Sequence, residues 1–451
     1  MLDETICAPS TPPVNSPIAI IRISGSDTYR AISSLFRTSG ELKPRHAHYG
    51  TLADHNGPVD DAVVIYYRSP QSYTGEDMAE ILCHGNPIIV RKILILLNNR
   101  GVRMAEPGEF TKRAFLNGKV DLTEAEAINH IITAKSEWEI ETSLRQMHGS
   151  LRSIIQDIRR RIIELMADIE AGIDFSDEEI DVISPEAALT AVERIRASIE
   201  DLMNRCKTGE RLSHGIDVAI TGKPNVGKSS ILNLLLNQER AIVSSIPGTT
   251  RDIIREPLQI GGMYVNLIDT AGIDTPGDEL ERIGIDLSHR KIESSHFIIV
   301  VLDASVGMSG ADRTILGKTE NKKRVILINK IDIARPGDIA GMQSALPEEA
   351  ILFSAVTGEG MQNLKDTVSR RLKVEFVEME NSFIADMRII SLLEQSVEIV
   401  KRTAGLIIGR EPGEIISFEL RALIDVLSEI TGEITPEHIL DSVFNRFCIG
   451  K

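Results

Sequence analysis

Residues 222–229 read Gly222-Lys223-Pro224-Asn225-Val226-Gly227-Lys228-Ser229, and this stretch near the middle of a 451-residue chain predicts a phosphate-binding loop. In such a loop the glycines let backbone N–H groups curl around a phosphate, Lys228 reaches the β and γ oxygens, and the Ser229 hydroxyl ligates Mg²⁺. The flanks agree, because residues 216–220 read as a buried strand and residues 230–236 open a helix. The sequence therefore predicts a nucleotide-binding α/β domain.

Two motifs downstream of the loop are typical of the phosphate side of a GTPase site. Gly248-Thr249-Thr250-Arg251-Asp252 offers hydroxyls, and we assign to Thr250 the completion of the Mg²⁺ shell when a γ-phosphate is bound. Asp269-Thr270-Ala271-Gly272 follows the predicted strand 265–268, so that Asp269 can hold a Mg²⁺-bound water and the Gly272 N–H can face the γ-phosphate.

Two further motifs predict selection of guanine. Asn329-Lys330-Ile331-Asp332 follows an apolar strand, and the Asp332 carboxylate can accept hydrogen bonds from guanine N1–H and the N2 amino group, a donor pair that adenine lacks. Ser354-Ala355 follows the predicted strand 351–353, where a backbone N–H would meet guanine O6. The predicted GTP-binding residues are Asn225, Val226, Gly227, Lys228, Ser229, Ser230, Ser244, Ser245, Ile246, Pro247, Gly248, Thr249, Thr250, Asp269, Thr270, Ala271, Gly272, Asn329, Lys330, Asp332, Ser354 and Ala355.

The predicted hydrolytic machinery departs from that of Ras-type GTPases. Ile273 stands where those enzymes place a glutamine that orients the attacking water, and isoleucine cannot hydrogen-bond water. Either hydrolysis is slow or another group acts, and Glu281 is our candidate to orient that water; the alternative is an ordinary carboxylate on a helix face. Arg251 is a candidate arginine finger, but its position in the motif does not show where it points.

Composition limits the class of protein. The chain is 42% hydrophobic, no apolar run reaches the roughly 18 residues of a membrane span, and Met1-Leu2-Asp3-Glu4 lacks the basic character of a targeting segment, so we expect a cytoplasmic protein. The four cysteines include no C-x-x-C pair, which argues against a zinc module and a disulfide framework. They are Cys7, Cys83, Cys206 and Cys448.

The formal net charge of −16 is unlike that of a general nucleic-acid binder. The simplest interpretation is a solvated acidic surface that aids solubility. Any nucleic-acid partner would need a local basic surface or the help of a second protein.

The pattern of predicted helices and strands changes three times along the chain. Residues 1–118 read as mixed α/β, with strands at 18–23 and 61–67 and a helix at 87–99. Helical periodicity dominates residues 119–214, alternating strands and helices fill 215–372, and helical periodicity returns over 373–451, most clearly at 382–408 and 415–430. We therefore expect a multidomain α/β plus all-α protein, with a nucleotide domain inserted into a discontinuous helical domain.

Together with the GTPase motifs, five stretches in the flanks make this chain resemble the tRNA-modifying GTPase family called MnmE or TrmE over its whole length. They are Thr11-Pro12-Pro13 leading to Ile21-Arg22-Ile23-Ser24-Gly25, Tyr73-Thr74-Gly75-Glu76-Asp77, Pro107-Gly108-Glu109-Phe110-Thr111-Lys112-Arg113-Ala114-Phe115-Leu116-Asn117-Gly118-Lys119, Asp174-Phe175-Ser176-Asp177-Glu178-Glu179-Ile180-Asp181 and Phe447-Cys448-Ile449-Gly450-Lys451.

The resemblance implies an N-terminal α+β domain similar to folate-dependent one-carbon enzymes, a discontinuous helical domain and an inserted Ras-like P-loop G domain. It implies a homodimer that joins the FAD protein MnmG (GidA) in a heterotetramer and adds an aminomethyl or carboxymethylaminomethyl group at C5 of the wobble uridine of certain tRNAs. The implied one-carbon donor is 5-formyl- or 5,10-methylene-tetrahydrofolate, and the implied ions are Mg²⁺ and K⁺.

The resemblance also assigns residues. The family's folate pocket corresponds to Arg22, Glu80, Lys119 and Lys451, and its K⁺ cradle corresponds to Asn225, Ser244, Ile246 and Thr249. Glu281 matches the family's catalytic glutamate. This chain departs from the family in Val14-Asn15-Ser16-Pro17, where a glycine-rich segment is common, and in Asp274, where an arginine is common.

Three alternatives stay open. Cys448 is a catalytic thiol or a packing residue, and its four-residue tail imitates a prenylation box whose last residue is unsuitable. A regulatory switch in ribosome assembly would use the same G domain without modification chemistry. A scaffold would use the nucleotide only to set dimer geometry.

Overall fold

A computed structural model describes residues 4–174, 183–239, 255–269, 295–375 and 381–451. These residues form two compact units from interleaved stretches of chain. The first contains the described residues of Met1–Asn129, Arg145–Ile199 and Ser391–Lys451, and the second those of His130–Leu144 and Glu200–Ile390.

The first unit is built on a seven-stranded sheet with the order β3-β4-β5-β6-β2-β1-β7, antiparallel except where β1 meets β7. The strands are β1 Ile6–Pro9, β2 Ser16–Ser24, β3 Phe36–Arg37, β4 Ala47–Asp54, β5 Gly57–Tyr67, β6 Met78–Gly85 and β7 Arg103–Met104. Alternation along β2 buries Ile21 and Ile23 completely, which turns Arg22 to the other face of the sheet.

Three short helices accompany this sheet: α1 Thr28–Ser33, α2 Pro87–Asn98 and α3 Glu109–Leu116. Helix α2 begins where predicted because the Asn86 side chain accepts a hydrogen bond from the Ile88 N–H at 2.9 Å and Pro87 occupies the first turn.

Long helices follow: α4 Leu122–Thr133, α5 Glu137–Met147, α6 Ser150–Asp174 and α7 Pro185–Ser213. In the first unit α6 packs along α13 Gly413–Thr431, so closely that a Cβ on Gly413 would lie 2.9 Å from Ile173.

The second unit is a six-stranded sheet with the order β13-β12-β11-β8-β10-β9, parallel except where β9 meets β10. The strands are β8 Ile216–Thr221, β9 Arg255–Ile260, β10 Met263–Asp269, β11 Phe297–Asp303, β12 Arg324–Asn329 and β13 Ala350–Leu352. The helices are α8 Lys228–Glu239, α9 Gly310–Lys318, α10 Pro336–Ala345 and α11 Met361–Glu375. Apolar clusters fill both faces of the sheet, which explains the fully buried runs of β11 and β12.

The chain ends in α12 Met387–Ile408, α13 and α14 Glu437–Phe444. The helix predicted at 382–408 begins five residues late. Phe383, Ile384 and Ala385 are buried but not helical, and the Phe383 N–H donates to the Arg205 carbonyl at 3.3 Å, so this apolar run packs against α7 instead of continuing the helix. The predicted domain boundaries at 118, 214 and 372 stay a prediction.

In the part of the chain that the structure describes, no helix combines the length and the apolar character that crossing a bilayer requires.

Candidate functional site

The phosphate-binding loop joins β8 to α8. Three of its residues have positive φ: Gly222 at 155°, Asn225 at 64° and Gly227 at 100°. A Cβ on Gly222 would lie 2.4 Å from the Val301 carbonyl oxygen, and one on Gly227 would lie 2.3 Å from Asn329 Nδ2. Both positions therefore require glycine, and the loop packs tightly against β11 and the end of β12.

Lys228 is the first residue of α8 and is buried. Its Nζ donates to the carbonyl oxygens of Gly222 at 2.9 Å and Lys223 at 2.7 Å, which holds the ammonium group against the loop. Ser229 and Ser230 follow in the exposed first turn of the helix. A helix N-terminus, a curled backbone and an ammonium group together fit a nucleoside phosphate, and the Ser229 hydroxyl is a ligand type that suits Mg²⁺.

Asn329 connects the phosphate-binding loop to the predicted base-binding loops. Its side chain is buried at the end of β12, where Nδ2 donates to the Val226 carbonyl at 2.7 Å. Its Oδ1 accepts from the Ala355 N–H at 3.0 Å. Both ends of the amide are thus used to hold two loops that are distant in sequence.

The predicted guanine-reading carboxylate is oriented by a neighbour. Ser354 Oγ donates to Asp332 Oδ1 at 2.6 Å and accepts from the Thr357 N–H at 3.2 Å. Asp332 is itself exposed, whereas Ser354 is fully buried. The Asp332 carboxylate therefore faces solvent and is held in place by Ser354, as a group that binds a nucleobase requires.

Lys330, at φ 66°, pairs with an aspartate that sequence reasoning missed. Its Nζ lies 2.6 Å from Asp303 Oδ2 at the end of β11, and Asp303 Oδ1 accepts from Ser305 N–H and Oγ. Burial acts to raise the pKa of the Asp303 carboxyl, but the hydrogen bonds from Lys330 and Ser305 outweigh it and hold that pKa below its ordinary value. The available signal was an aspartate ending an otherwise apolar strand.

A second polar site lies in the first unit, on the face of the sheet away from Ile21 and Ile23. Arg22 and Glu80 are register partners on β2 and β6, and Arg22 Nε donates to Glu80 Oε1 at 2.9 Å. The Tyr67 hydroxyl donates to Glu80 Oε2 at 3.2 Å, and the Arg22 guanidinium carbon lies 5.8 Å from the centre of the Tyr73 ring. Sequence reasoning did not single out Tyr67.

The C-terminal residues complete this site. Arg22 Nη1 donates to the Gly450 carbonyl at 3.4 Å, and the Phe110 N–H donates to the Lys451 carbonyl at 3.1 Å. Burial, and then the charge of Arg22, lower the pKa of the Lys451 ammonium group. Lys119 donates through Nζ to the Pro70 carbonyl at 2.8 Å, on the loop that also carries Tyr73.

The cysteines differ in exposure. Burial raises the pKa of Cys7 and of Cys206 to about 12 and that of Cys83 to about 11, so these thiols stay protonated. Cys448 is exposed beside the C-terminal residues of the second polar site, and all four thiols are free.

Comparison with known proteins decides the family. The chain matches the family described as MnmE helical domain over residues 122–448 and that described as GTP-binding protein TrmE N-terminus over residues 5–119. This chain belongs to the MnmE family. The tRNA modification GTPase MnmE of Aquifex aeolicus (strain VF5) is 42% identical over 450 residues, which cover 99% of this chain and 100% of the relative.

Other MnmE relatives are similar at comparable coverage. The tRNA modification GTPase MnmE of Thermotoga maritima is 40% identical over 451 residues, covering 99% of this chain and 100% of its own. A solved structure of an Era variant from Aquifex aeolicus, bound to GDP·AlF4⁻, is 31% identical over 34% of this chain and 56% of that one; its TM-score of 0.29 is too low to bear on the fold.

The MnmE matches confirm the predicted fold class, a multidomain chain with an N-terminal α+β domain, a discontinuous helical domain and an inserted P-loop domain. Of the predicted nucleotide site, the structure brings together the phosphate-binding loop and the two base-side loops. Asp269 ends β10. Other predicted residues of this MnmE-family site lie outside the described residues: Ser244, Ser245, Ile246, Pro247, Gly248, Thr249, Thr250, Arg251, Thr270, Ala271, Gly272, Ile273, Asp274 and Glu281.

Proposed function

We propose that this chain hydrolyses GTP in the course of tRNA modification. The observation that carries the GTP-binding part of the proposal is Asn329, which joins the phosphate-binding loop at Val226 to the base-side loop at Ala355 and so supports one continuous nucleotide site. The curated relatives named tRNA modification GTPase MnmE support the reaction class, because they match this chain over nearly its entire length.

Within this site each residue has a defined part. Lys228 and the N-terminus of α8 bind the phosphates, and the exposed Asp332 carboxylate accepts hydrogen bonds from the guanine edge. The hydroxyls of Ser229 and Thr250 would hold Mg²⁺, which supplies positive charge to the β and γ oxygens when bound.

Hydrolysis, in this proposal, depends on Glu281 to orient the attacking water and on a K⁺ site. Asn225, Ser244, Ile246 and Thr249 would hold K⁺, whose charge takes the place of an arginine finger. Asn225, exposed in the phosphate-binding loop, has a φ of 64°, in the left-handed region that asparagine tolerates better than most residues. We expect the GTPase rate to rise strongly when K⁺ replaces Na⁺, measured as phosphate release at equal ionic strength; equal rates in the two salts would refute the K⁺ cradle.

The second polar site is proposed to bind 5-formyl- or 5,10-methylene-tetrahydrofolate. Glu80 offers a carboxylate to the pterin N–H edge, and Arg22, Lys119 and Lys451 offer cations to the glutamyl carboxylates. The close approach of Arg22 to Glu80 and Gly450 supports the assignment. Cys448 has an exposed thiol beside this site. Catalysis and packing both stay open as its role.

The remaining partners follow from the same proposal. The chain would act as a homodimer with MnmG (GidA), which carries FAD, in a heterotetramer that adds a carboxymethylaminomethyl or aminomethyl group at C5 of the wobble uridine. Its net charge of −16 favours tRNA recognition that is shared with such a partner. A cytoplasmic location belongs to the same proposal.

The test of this function is nucleoside mass spectrometry of tRNA from a strain that lacks the chain. We expect the C5-modified wobble uridines to disappear and to return when the unaltered chain is supplied. Unchanged wobble uridines, together with a defect in ribosome assembly, would support the regulatory switch instead. A pull-down of MnmG with a tagged copy of the chain, supplied to the same strain, tests the proposed partner.

A further inference from the structure

The second residue of the phosphate-binding loop is tied to a buried carboxylate. Lys223 Nζ lies 2.7 Å from Asp312 Oδ2 and donates to Ser309 Oγ at 3.0 Å. Asp312 sits in the first turn of α9, and its side chain is 1% exposed, against 21% for Lys223. The contact joins the loop after β8 to the segment after β11, which are neighbouring parallel strands.

Capping of α9 does not account for this arrangement. The Ser309 N–H donates to Asp312 Oδ2 at 2.8 Å, which is the carboxylate half of a capping box, and the Ser309 Oγ donates to the same oxygen at 2.7 Å. Among the described residues, however, Asp312 Oδ1 is buried and accepts no hydrogen bond. Burying a carboxylate with one oxygen left without a hydrogen bond is costly unless a cation pairs with it, and Lys223 is the cation that lies against Asp312.

The backbone of the tethered residues holds the phosphate-binding lysine. Lys228 Nζ donates to the carbonyl oxygens of Gly222 and Lys223, at 2.9 Å and 2.7 Å. A shift of the Gly222–Lys223 peptide would therefore move the ammonium group that faces the phosphates. A tether on the Lys223 side chain restrains that peptide.

We propose that Asp312 is a positioning residue for nucleotide binding, acting through Lys223 on the Gly222–Lys223 carbonyls and thereby on Lys228. This inference rests on the proposed GTP binding and assigns a role to Asp312, a buried carboxylate that no GTPase motif of this chain includes. The group it acts on is the phosphate chain of a guanine nucleotide.

The experiment measures binding of N-methylanthraniloyl-GTP by fluorescence titration and, separately, the melting temperature of the nucleotide-free protein. Asp312→Asn and Lys223→Met are each expected to weaken binding about tenfold, the scale of one lost charge-assisted hydrogen bond. Lys223→Arg keeps the pair and should bind within about twofold of the unaltered protein. The double variant should bind no more weakly than either single variant, because both remove the same tether.

Glu348→Gln is the matched control. It removes the carboxylate charge that faces the buried Arg324 at 2.7 Å, in the same unit but at the start of β12 rather than at the end near the phosphate-binding loop. We expect it to lower the melting temperature and leave nucleotide affinity unchanged. The positioning role is wrong if Asp312→Asn, like this control, lowers the melting temperature and leaves nucleotide affinity unchanged. It is also wrong if the double variant loses affinity by the product of the losses in the two single variants. Lys223→Met, at the more exposed end of the pair, decides the matter if Asp312→Asn does not fold. If the unaltered protein binds no nucleotide, the proposed function fails instead.

Discussion

At the scale of single residues, Asn329 and Ser354 hold the loops around Asp332, the proposed guanine-reading residue. The Asn329 amide hydrogen-bonds two backbone groups, and Ser354 holds one oxygen of Asp332. These hydrogen bonds restrict how far the base-side loops can reorganise when a nucleotide enters. A hydrogen bond between protein groups contributes only about 0.5–1.5 kcal/mol net, but an unmade one at a buried group costs more. In the proposed function, base selectivity depends on the Asp332 carboxylate itself.

The variant Asp332→Asn tests this assignment. The amide nitrogen of asparagine cannot accept from guanine N1–H or from the N2 amino group, so we expect GTP affinity to fall at least about tenfold. The same nitrogen can donate to the C2 carbonyl of xanthine, so xanthosine triphosphate should gain affinity. Competition of GTP, xanthosine triphosphate and ATP against a fluorescent GDP measures both changes.

Asp338→Asn provides the comparison for that measurement, because Asp338 is an exposed carboxylate in the first turn of α10. It should leave all three affinities unchanged. An Asp332→Asn protein that still prefers GTP as strongly as before would show that another group reads the base.

The sequence was sufficient for some residues of the site and insufficient for others, for a physical reason. Asn329, Asp332 and Lys228 lie in short motifs with fixed spacing, so their neighbours along the chain identify them. Asp303 and Asp312 act through partners 27 and 89 residues away, on loops that meet only because β8, β11 and β12 are adjacent. No local pattern records such a pairing.

At the scale of elements, the hairpin of β9 and β10 is bound by residues at and just before the start of α5. Gln259 Nε2 donates to the Lys135 carbonyl at 2.9 Å, and the Trp138 N–H donates to the Gly262 carbonyl at 3.4 Å. Lys135 Nζ also lies 5.1 Å from the centre of the Tyr264 ring. The Trp138 side chain packs, partly buried, on the core of the six-stranded sheet.

We expect Trp138→Ala to destabilise the second unit by about 2–3 kcal/mol, less than a fully buried tryptophan would cost because part of the ring stays exposed. Urea unfolding followed by far-UV circular dichroism measures the loss. The transition that moves to higher urea when GDP is added identifies the second unit, since a ligand stabilises the unit that binds it.

Ile140→Ala on the same helix is the control, because Ile140 is 41% exposed. It should change stability by less than about 0.5 kcal/mol. Equal losses of unfolding free energy in the two variants would mean that the formation of helix α5, and not a specific contact of Trp138, stabilises the unit.

Helical periodicity located most helices but not the surfaces they cover. The helices predicted at 87–99 and 415–430 correspond to α2 and α13 within two residues at either end. The apolar residues 383–385 imitated a helix because a buried non-helical segment and a buried helix turn share the same composition. Residues of α5 belong to the same unit as the phosphate-binding loop. This placement depends on long-range packing, which periodicity does not encode.

At the scale of the whole molecule, the two units alternate along the chain. The chain leaves the first unit after Asn129 and again after Ile199, and returns at Arg145 and Ser391. The central claim of the proposed function is that GTP hydrolysis itself drives tRNA modification.

The most direct measurement compares tRNA nucleosides, by mass spectrometry, from a deletion strain supplied with either the unaltered chain or Glu281→Ala. Fluorescent-nucleotide titration first establishes that the variant still binds GTP, and phosphate release establishes that it no longer hydrolyses it. We predict that the C5-modified wobble uridines return with the unaltered chain and stay absent with Glu281→Ala. Full modification by a variant that binds GTP without hydrolysing it would contradict the account and leave the chain as a nucleotide-dependent scaffold.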